Sequence, residues 1–205
     1  MSNFWRTKVP IVAPLSRKQI EEDARVFLKK FSSALKYPSS VDVEKIYEII
    51  LPKIIDGLNT GYVDLSKIGP NVMGYTDASK KVSYVDIKLY ELSIERPRSV
   101  EARRFRATVA HEIGHCFYHI HQLETFKSFS GNEDGVFLRA YRSEIPAYRD
   151  PEWQAWEYAS ALLMPSQHVF TLLSQGKDIY ELAEIFDVNP AFVKARIKKL
   201  KKIKI

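Results

Sequence analysis

Residues 103–115 read RRFRATVAHEIGH and predict a helix with two histidines on one face. His111 and His115 are four residues apart, and Glu112 directly follows the first of them. On an α-helix, residues at this spacing lie about one turn apart on the same side. The two imidazoles therefore point the same way, and Glu112 lies one step around the helix beside them.

This His-Glu-x-x-His pattern is typical of helix-borne zinc sites in metallohydrolases. Neutral imidazoles on one face can both bind a single ion. Zinc lowers the pKa of a bound water to about 7, and Glu112 is placed to take the proton of that water as it attacks a carbonyl. The pattern predicts one Zn²⁺ per chain, bound by His111 and His115, with Glu112 as the general base. A chain with five histidines can also match by chance, so the flanking residues must decide.

A catalytic zinc normally takes three protein ligands and leaves one position for water. His121 stands where the longer pattern H-E-x-x-H-x-x-G-x-x-H has its third histidine, but Tyr118 replaces the glycine that would end the helix. His119 is nearer the correct face, yet it is about 12 Å beyond His111 along a helix. A packed or supporting role suits His119 better than a ligand role.

Glu152 is the strongest candidate for the third ligand. It follows Asp150 and Pro151, which predict the start of a helix, and small residues one and two turns later allow another helix to approach. Two histidines and a glutamate are an established catalytic set. The residues alone leave an equal alternative, a solvated first-turn acid favoured by the helix dipole. Two other acids, Glu157 and Glu144, are weaker candidates.

Composition indicates an ordinary globular protein with one substantial core. The 205 residues are 45% hydrophobic and 27% charged, and no apolar run approaches the roughly 20 residues needed to cross a bilayer. The first residues, MSNFWR, do not resemble a signal peptide. The single cysteine, Cys116, is expected to be a small buried residue, which fits a reducing cytoplasm. We therefore expect a cytoplasmic protein with no membrane partner.

The net charge of +6 is concentrated at the C-terminus. Seven of the 31 basic residues lie between Lys194 and Lys204, which leaves 24 basic against 25 acidic residues in the rest of the chain. A nucleic-acid groove running across the whole protein is therefore not expected.

Helical spacing and turn residues predict a mostly helical α+β fold with a small sheet beside the motif helix. The predicted elements begin with a helix from Ser16 to about Leu35 and a second helix from Asp42 to about Leu58, in which Pro52 is a possible kink. A β-hairpin at 71–76 and 82–87 precedes the motif helix, which runs from Ser99 to about Gln122. An irregular segment at 123–149, which contains Gly131 and Gly135, leads to helices at 150–164 and 167–174. Two units are predicted: a domain at 1–176 that contains the metallohydrolase motif, and a C-terminal helical pair with a basic end at 177–205. The pair is centred on Asn189, expected as a helix cap, and Pro190.

Two segments together resemble the ImmA/IrrE family of metallo-endopeptidases. Residues 104–119 read RFRATVAHEIGHCFYH, and residues 152–165 read EWQAWEYASALLMP. The second signature of the family usually reads E-x-x-A-N/D-x-F-A-x-x-L-L-M-P. Shorter likenesses occur at 15–20, 74–77 and 188–197, so the resemblance extends over most of the chain.

The resemblance implies a zincin-like fold, with His111, His115 and Glu152 as metal ligands and Glu112 as the general base. It also implies a site-specific cytoplasmic protease, typical of bacteria or their mobile elements, whose protein substrate is a helix-turn-helix repressor. Trp156 stands in place of the usual Asn or Asp, which removes a polar group near the metal helix, so support of the ligands is expected to differ. The metal and base positions are unaltered, so we expect an active enzyme.

The main alternative is a DNA-binding transcriptional regulator with a structural metal. Residues 181–193 have the spacing of a helix-turn-helix, and Lys194, Lys198 and Lys201 are placed to meet phosphates. We favour a helical hairpin that closes the protease core, because endopeptidases of the resembled family end this way. A structural zinc would also need a fourth protein ligand, and the sequence has no cysteine-rich set.

Overall fold

The structure, a computed structural model, describes residues 8–130 and 139–202. The first seven residues, Gly131 and Gly135 of the predicted irregular segment, and Lys204 lie outside the described residues. The fold is mostly helical with a small three-stranded sheet, as predicted. Within the described ranges, no helix has the length and apolar character needed to cross a membrane.

The first helix, α1 (Arg17–Phe31), begins at Ser16 as predicted. The Ser16 hydroxyl accepts from the backbone of Gln19, and the Gln19 side chain returns a bond to the backbone of Ser16. This reciprocal cap satisfies two backbone donors that the first turn would leave open. The helix ends at Phe31, earlier than predicted, because Ser32 takes an extended conformation.

The second predicted helix is continuous but contains a wide turn. It consists of α2 (Val43–Lys45), a π-helical turn (Ile46–Ile50) and α3 (Leu51–Ile54). Pro52 has no N–H to donate within this stretch, and Leu51 bonds five residues back, to Ile46. The wide turn rotates the apolar stripe, so Ile49 and Ile54 are 46% and 42% exposed. The spacing of the apolar residues along this helix predicts both on its buried stripe, and that prediction was wrong for this reason.

The sheet has the strand order β2–β4–β3. The predicted hairpin is confirmed: β3 (Gly74–Asp77) runs antiparallel to β4 (Val82–Asp86). A strand that was not predicted, β2 (Asn59–Val63), pairs in parallel with β4. Strand β4 is therefore central and β3 lies at an edge, against the motif helix.

The motif helix, α5 (Val100–His115), begins at Ser99, whose hydroxyl caps the backbone of Ala102. A short helix that was not predicted, α4 (Ile87–Glu95), precedes it. After His115 the chain makes a π-helical turn (Cys116–Ile120) and continues as α6 (His121–Ser130). The predicted irregular segment was therefore wrong at its beginning.

The elements that follow α6 bring another helix against the motif helix. Strand β5 (Arg139–Tyr141) pairs with β1 (Lys8–Pro10), and two short 3₁₀ turns then lead to α7 (Pro151–Leu163). Next come α8 (Ser166–Ser174), α9 (Ile179–Phe186) and α10 (Pro190–Leu200). The starts of α7 and α10 agree with the prediction, although the Asn189 side chain makes no capping hydrogen bond.

Candidate metal centre

Helices α5 and α7 pack tightly beneath the site. An added Cβ on Gly114 would lie 3.0 Å from both the Cα and the backbone oxygen of Ala155. The absence of a side chain at 114 therefore lets the two backbones approach closely. At the start of α7, Asp150 caps the backbone of Glu152 and pairs with Arg142, so the turn that contains Glu152 is anchored on both sides.

The three predicted ligands converge on one point. His111 Nε2 and His115 Nε2 are 2.9 Å apart. The two carboxylate oxygens of Glu152 lie 3.2 Å from these nitrogens, one from each. Among the side chains that the structure describes, these three are the one group of histidine, cysteine and acidic residues suited to bind a metal.

The 2.9 Å and 3.2 Å separations in this group are close to those between the ligands of a tetrahedral zinc, and the two 3.2 Å contacts involve different oxygens of Glu152. Ligands 2.0–2.1 Å from such an ion lie about 3.3 Å from one another. Two imidazoles and a carboxylate also suit zinc chemically. Burial alone would raise the pKa of Glu152, but its contacts with the His111 and His115 imidazoles hold it well below its usual range. The carboxylate is therefore anionic, which a metal ligand must be.

Glu112 reaches the site from beside the ligand face, against strand β3. Its Oε2 accepts a 2.6 Å hydrogen bond from the Thr76 hydroxyl. An added Cβ on Gly74 would lie 2.8 Å from the Glu112 carboxyl carbon, and closer still to Oε1. Thr76 therefore orients the carboxylate, and Gly74 leaves the space that it occupies.

A chain of hydroxyl groups extends from Glu112 into the core. Thr76 Oγ1 lies 2.8 Å from Ser83 Oγ, and the Tyr47 hydroxyl donates to Ser83 at 3.0 Å. The Glu112 side chain is only 3% exposed. Burial raises the pKa of Glu112 to about 7, although the electrostatic effect of the neighbouring His115 and the Thr76 hydrogen bond oppose this rise. A group with this pKa both accepts and releases a proton near neutral pH.

The two histidines have different surroundings. His115 Nδ1 lies 2.9 Å from His119 Nδ1, and the buried His119 contacts Gln154 in turn. Burial lowers the pKa of His119 to about 3, so this ring is neutral. His111 Nδ1 is buried and has no hydrogen-bond partner among the described residues, while the Trp156 ring packs 4.3 Å from the His111 ring. Support of the ligands is thus uneven, as expected from tryptophan at 156.

The weaker ligand candidates lie elsewhere. His121 is exposed and lines a groove beside Phe117, Tyr118 and Lys81. Glu157 pairs with Arg17 and Lys199, and Glu144 accepts from the backbone of Tyr141. Other residues considered near the site also have structural contacts: the Tyr118 hydroxyl donates to Asp23, Cys116 is fully buried, and the backbone oxygens of Tyr148 and Arg149 accept from the segment before α1.

Several contributors to the site were missed from the sequence. Gly74, Thr76 and Ser83 were predicted only as parts of the hairpin, and Gln154 appeared only within the second signature, so none of them was assigned a role at the site. Their roles depend on contacts between segments 30 or more residues apart. The one local signal is Gln154, a polar residue at a fully buried position of α7.

Comparisons with known proteins identify the family of the chain and a solved structure with a similar fold. The model of the peptidase M78 family, described as the IrrE N-terminal-like domain, matches residues 95–198. A solved Mycobacterium tuberculosis transcriptional regulator shares the fold at 14% identity with a TM-score of 0.54, covering 91% of this chain and 48% of that one. This chain thus spans about half the length of that regulator. The search of curated proteins found no match to this chain. Because the family model covers half of the sequence, including the motif and Glu152, the chain belongs to the IrrE N-terminal-like peptidase M78 family.

Proposed function

We propose that the protein is a zinc-dependent endopeptidase that hydrolyses a peptide bond in a protein substrate. The observation that supports this best is the triangle formed by His111, His115 and Glu152, with Glu112 beside it. Among the described side chains, no fourth metal-binding group joins the triangle. An open coordination position is what distinguishes catalytic from structural zinc sites.

The residues around the triangle supply the acid–base chemistry. Zinc bound there would polarise the substrate carbonyl and make a water molecule acidic. Glu112 takes one proton from that water while the water oxygen forms its bond to the carbonyl carbon. Thr76 holds Oε2, so Oε1 is the oxygen that accepts this proton. When the carbon–nitrogen bond breaks, Glu112 passes the proton to the leaving amine.

Strand β3 offers a place for the substrate backbone. It lies at the edge of the sheet and is the strand that contains Gly74 and Thr76. An extended peptide pairing with this edge would pass next to Glu112. The resemblance to the ImmA/IrrE family makes a helix-turn-helix repressor the proposed substrate, cut at one site in the cytoplasm.

The test combines metal analysis with cleavage. Purified protein should bind about one zinc per chain, and it should cut the helix-turn-helix repressor encoded next to its gene into fragments that mass spectrometry identifies. Glu112→Gln should retain the zinc and slow cleavage by about 100- to 10,000-fold, since general-base catalysis contributes this much. Equal fragmentation by the wild type and Glu112→Gln would contradict the proposal.

The ligand role of Glu152 has a matched control. Glu101 is also an acid in the first turn of a helix, where the helix dipole favours it, but it does not belong to the metal-binding group. Glu152→Gln should weaken zinc binding, and Glu101→Gln should leave it unchanged. Equal zinc affinities in the two variants would show that Glu152 is not a ligand.

The regulator alternative depends on the exposed lysines of α10. Lys194 and Lys198 face solvent, four residues apart. The apolar faces of α9 and α10 are buried at Leu182, Phe186 and Val193. Salt-sensitive DNA binding that survives Glu112→Gln and is lost in a double Lys194→Glu, Lys198→Glu variant would support a regulator.

A further inference from the structure

A buried line of polar atoms leads away from His115 on the side opposite the ligand triangle. His115 Nδ1 lies 2.9 Å from His119 Nδ1, and His119 Nε2 lies 3.3 Å from Gln154 Oε1. The Gln154 amide nitrogen then donates to the backbone oxygens of Ala13, at 2.7 Å, and Tyr148, at 2.8 Å. His119 is 5% exposed and Gln154 is fully buried, so water does not replace these contacts.

The direction of every hydrogen bond in this line follows from its far end. A backbone carbonyl can only accept, so the two carbonyls fix the NH₂ group of Gln154 and turn its oxygen toward His119. An amide oxygen also only accepts, so Nε2 of His119 donates to it, and the buried ring, which contacts no carboxylate among its described hydrogen-bond partners, carries no second proton. His119 Nδ1 is then an acceptor, and the proton of His115 is on Nδ1. This leaves Nε2 of His115 without a proton, so that it binds a cation together with Glu152.

The other histidine of the triangle has no comparable support. Nδ1 of His111 is buried without a hydrogen-bond partner among the described residues, and the ring is held by packing against Trp156. No described group therefore accepts a proton from Nδ1 of His111, and its other nitrogen contacts only the groups of the triangle. The fixed geometry of the site therefore depends on His115.

We propose that His119 and Gln154 are positioning residues that hold His115 in the tautomer whose Nε2 binds the metal. Metal-bound histidines commonly donate their other N–H to a carboxylate or a carbonyl. Here the acceptor is a second neutral histidine, which can accept only because Gln154 determines where its own proton lies. The relay also connects α5 to the segment before α1 and to the turn before α7, since Ala13 and Tyr148 orient Gln154. The inference rests on the proposed metal site.

A pair of variants separates hydrogen bonding from packing. His119→Asn keeps an acceptor oxygen close to the position of Nδ1, whereas His119→Leu has a similar size and no acceptor. Zinc affinity, measured by competition with a chelating dye, should fall about 10- to 100-fold in His119→Leu. His119→Asn should remain within a few-fold of the wild type. The control is His168→Leu, because His168 is also buried but bonds to the backbone oxygen of Ala34, and it should not change zinc affinity.

A second measurement needs no variant. In metal-free protein with ¹⁵N-labelled histidine at pH 8, NMR should show the His119 proton on Nε2 and an unprotonated Nδ1. A proton on Nδ1 of His119, or equal zinc affinities in His119→Leu and His119→Asn, would overturn the relay. Wild-type protein that binds no zinc would contradict the proposed metal site instead, and the position of the His119 proton would still decide the relay.

Discussion

Gly74 is the residue on which the position of Glu112 most directly depends. Any side chain at 74 would occupy the space of the Glu112 carboxylate. Gly74→Ala should therefore displace the proposed general base without removing a metal ligand. Cleavage should fall about 100-fold or more, while about one zinc per chain is retained.

The matched control for this prediction is Gly61→Ala. Gly61 lies in β2 of the same sheet, and an added Cβ there meets no atom within 4 Å. Both variants replace a glycine of a strand with alanine, so they differ in the contact with Glu112. Similar cleavage rates in the two variants would show that Gly74 does not control the base.

The raised pKa of Glu112 also predicts how stability depends on pH. In metal-free protein this pKa is about 7, above the ordinary value of 4.5, so the folded state favours the protonated acid. The contribution of the protonated Glu112 to the free energy of unfolding is fully present below pH 4.5 and is lost as pH rises through 7. The difference between a pKa of about 7 in the folded state and the ordinary 4.5 corresponds to about 3 kcal/mol of unfolding free energy.

Glu112→Gln should remove that pH dependence. In urea unfolding with a chelator present, the variant and the wild type should differ little at pH 4.5. At pH 8 the variant should be more stable than the wild type by up to about 3 kcal/mol. A stability difference that stays constant between these pH values would contradict the buried, protonated form.

At the scale of elements, the crossing of α5 and α7 determines whether the ligands meet. Alanine is favoured over glycine in a helix by about 1 kcal/mol, so propensity alone would make Gly114→Ala stabilising. The added methyl group, however, would press on the backbone of Ala155, which cannot rotate away. We expect a net loss of about 1–3 kcal/mol in unfolding free energy, together with weaker zinc binding as Glu152 moves from the histidines.

Ala107→Gly is the reference for this prediction, because it measures helix propensity in α5 away from the crossing. Its unfolding free energy should fall by about 1 kcal/mol, with no change in zinc affinity. Gly114→Ala that is more stable than the wild type and binds zinc equally well would show that the two helices can separate without cost.

The elements that were predicted correctly are those specified by local sequence. Ser16, Ser99 and Asp150 cap the helices that follow them, and their partners are two or three residues away. The errors occur where distant contacts decide. Strand β2 exists through its pairing with β4, and the π-helical turn at Ile46–Ile50 altered the predicted buried face.

The same distinction applies to the metal centre. The spacing of His111 and His115 is local, so the helix motif predicts their geometry directly. From the residues alone, a ligand and a solvated first-turn acid were equally good interpretations of Glu152, because its distance from the histidines depends on how α7 crosses α5. The supports of the site join β3, β4 and the segment before α1 to these helices, and no sequence spacing encodes those contacts.

For the whole molecule, the C-terminal helical pair is connected to the body by buried charges. Arg103 and Arg106 of α5 pair with Asp187, which follows α9. Arg196 of α10 is 1% exposed, forms a bidentate ion pair with Glu21 of α1 and donates to the backbone oxygen of Met164. Helix α10 thus bonds directly to α1 and to the end of α7.

These contacts predict that residues 177–202 unfold together with the body. Arg196→Leu leaves the Glu21 carboxylate and the Met164 carbonyl without their buried partner. The expected loss is about 3 kcal/mol of unfolding free energy, because removing one member of a buried pair leaves an uncompensated charge. Arg25→Leu is the control, since Arg25 pairs with Glu22 on the exposed side of α1, and it should change stability by less than about 1 kcal/mol.

Two probes of urea unfolding measure whether the pair and the body are one cooperative unit. Circular dichroism reports on all helices, including α9 and α10, whereas tryptophan fluorescence in a Trp156→Phe background, chosen because Trp156 packs against Phe192 of α10, is sensitive to Trp153 of α7. In a single cooperative transition both probes give the same midpoint, and Arg196→Leu shifts both equally. If the helical pair unfolds independently, circular dichroism will show an early transition whose urea midpoint falls in Arg196→Leu, while the fluorescence midpoint does not change. That result would restore the possibility that the basic helices function apart from the peptidase body.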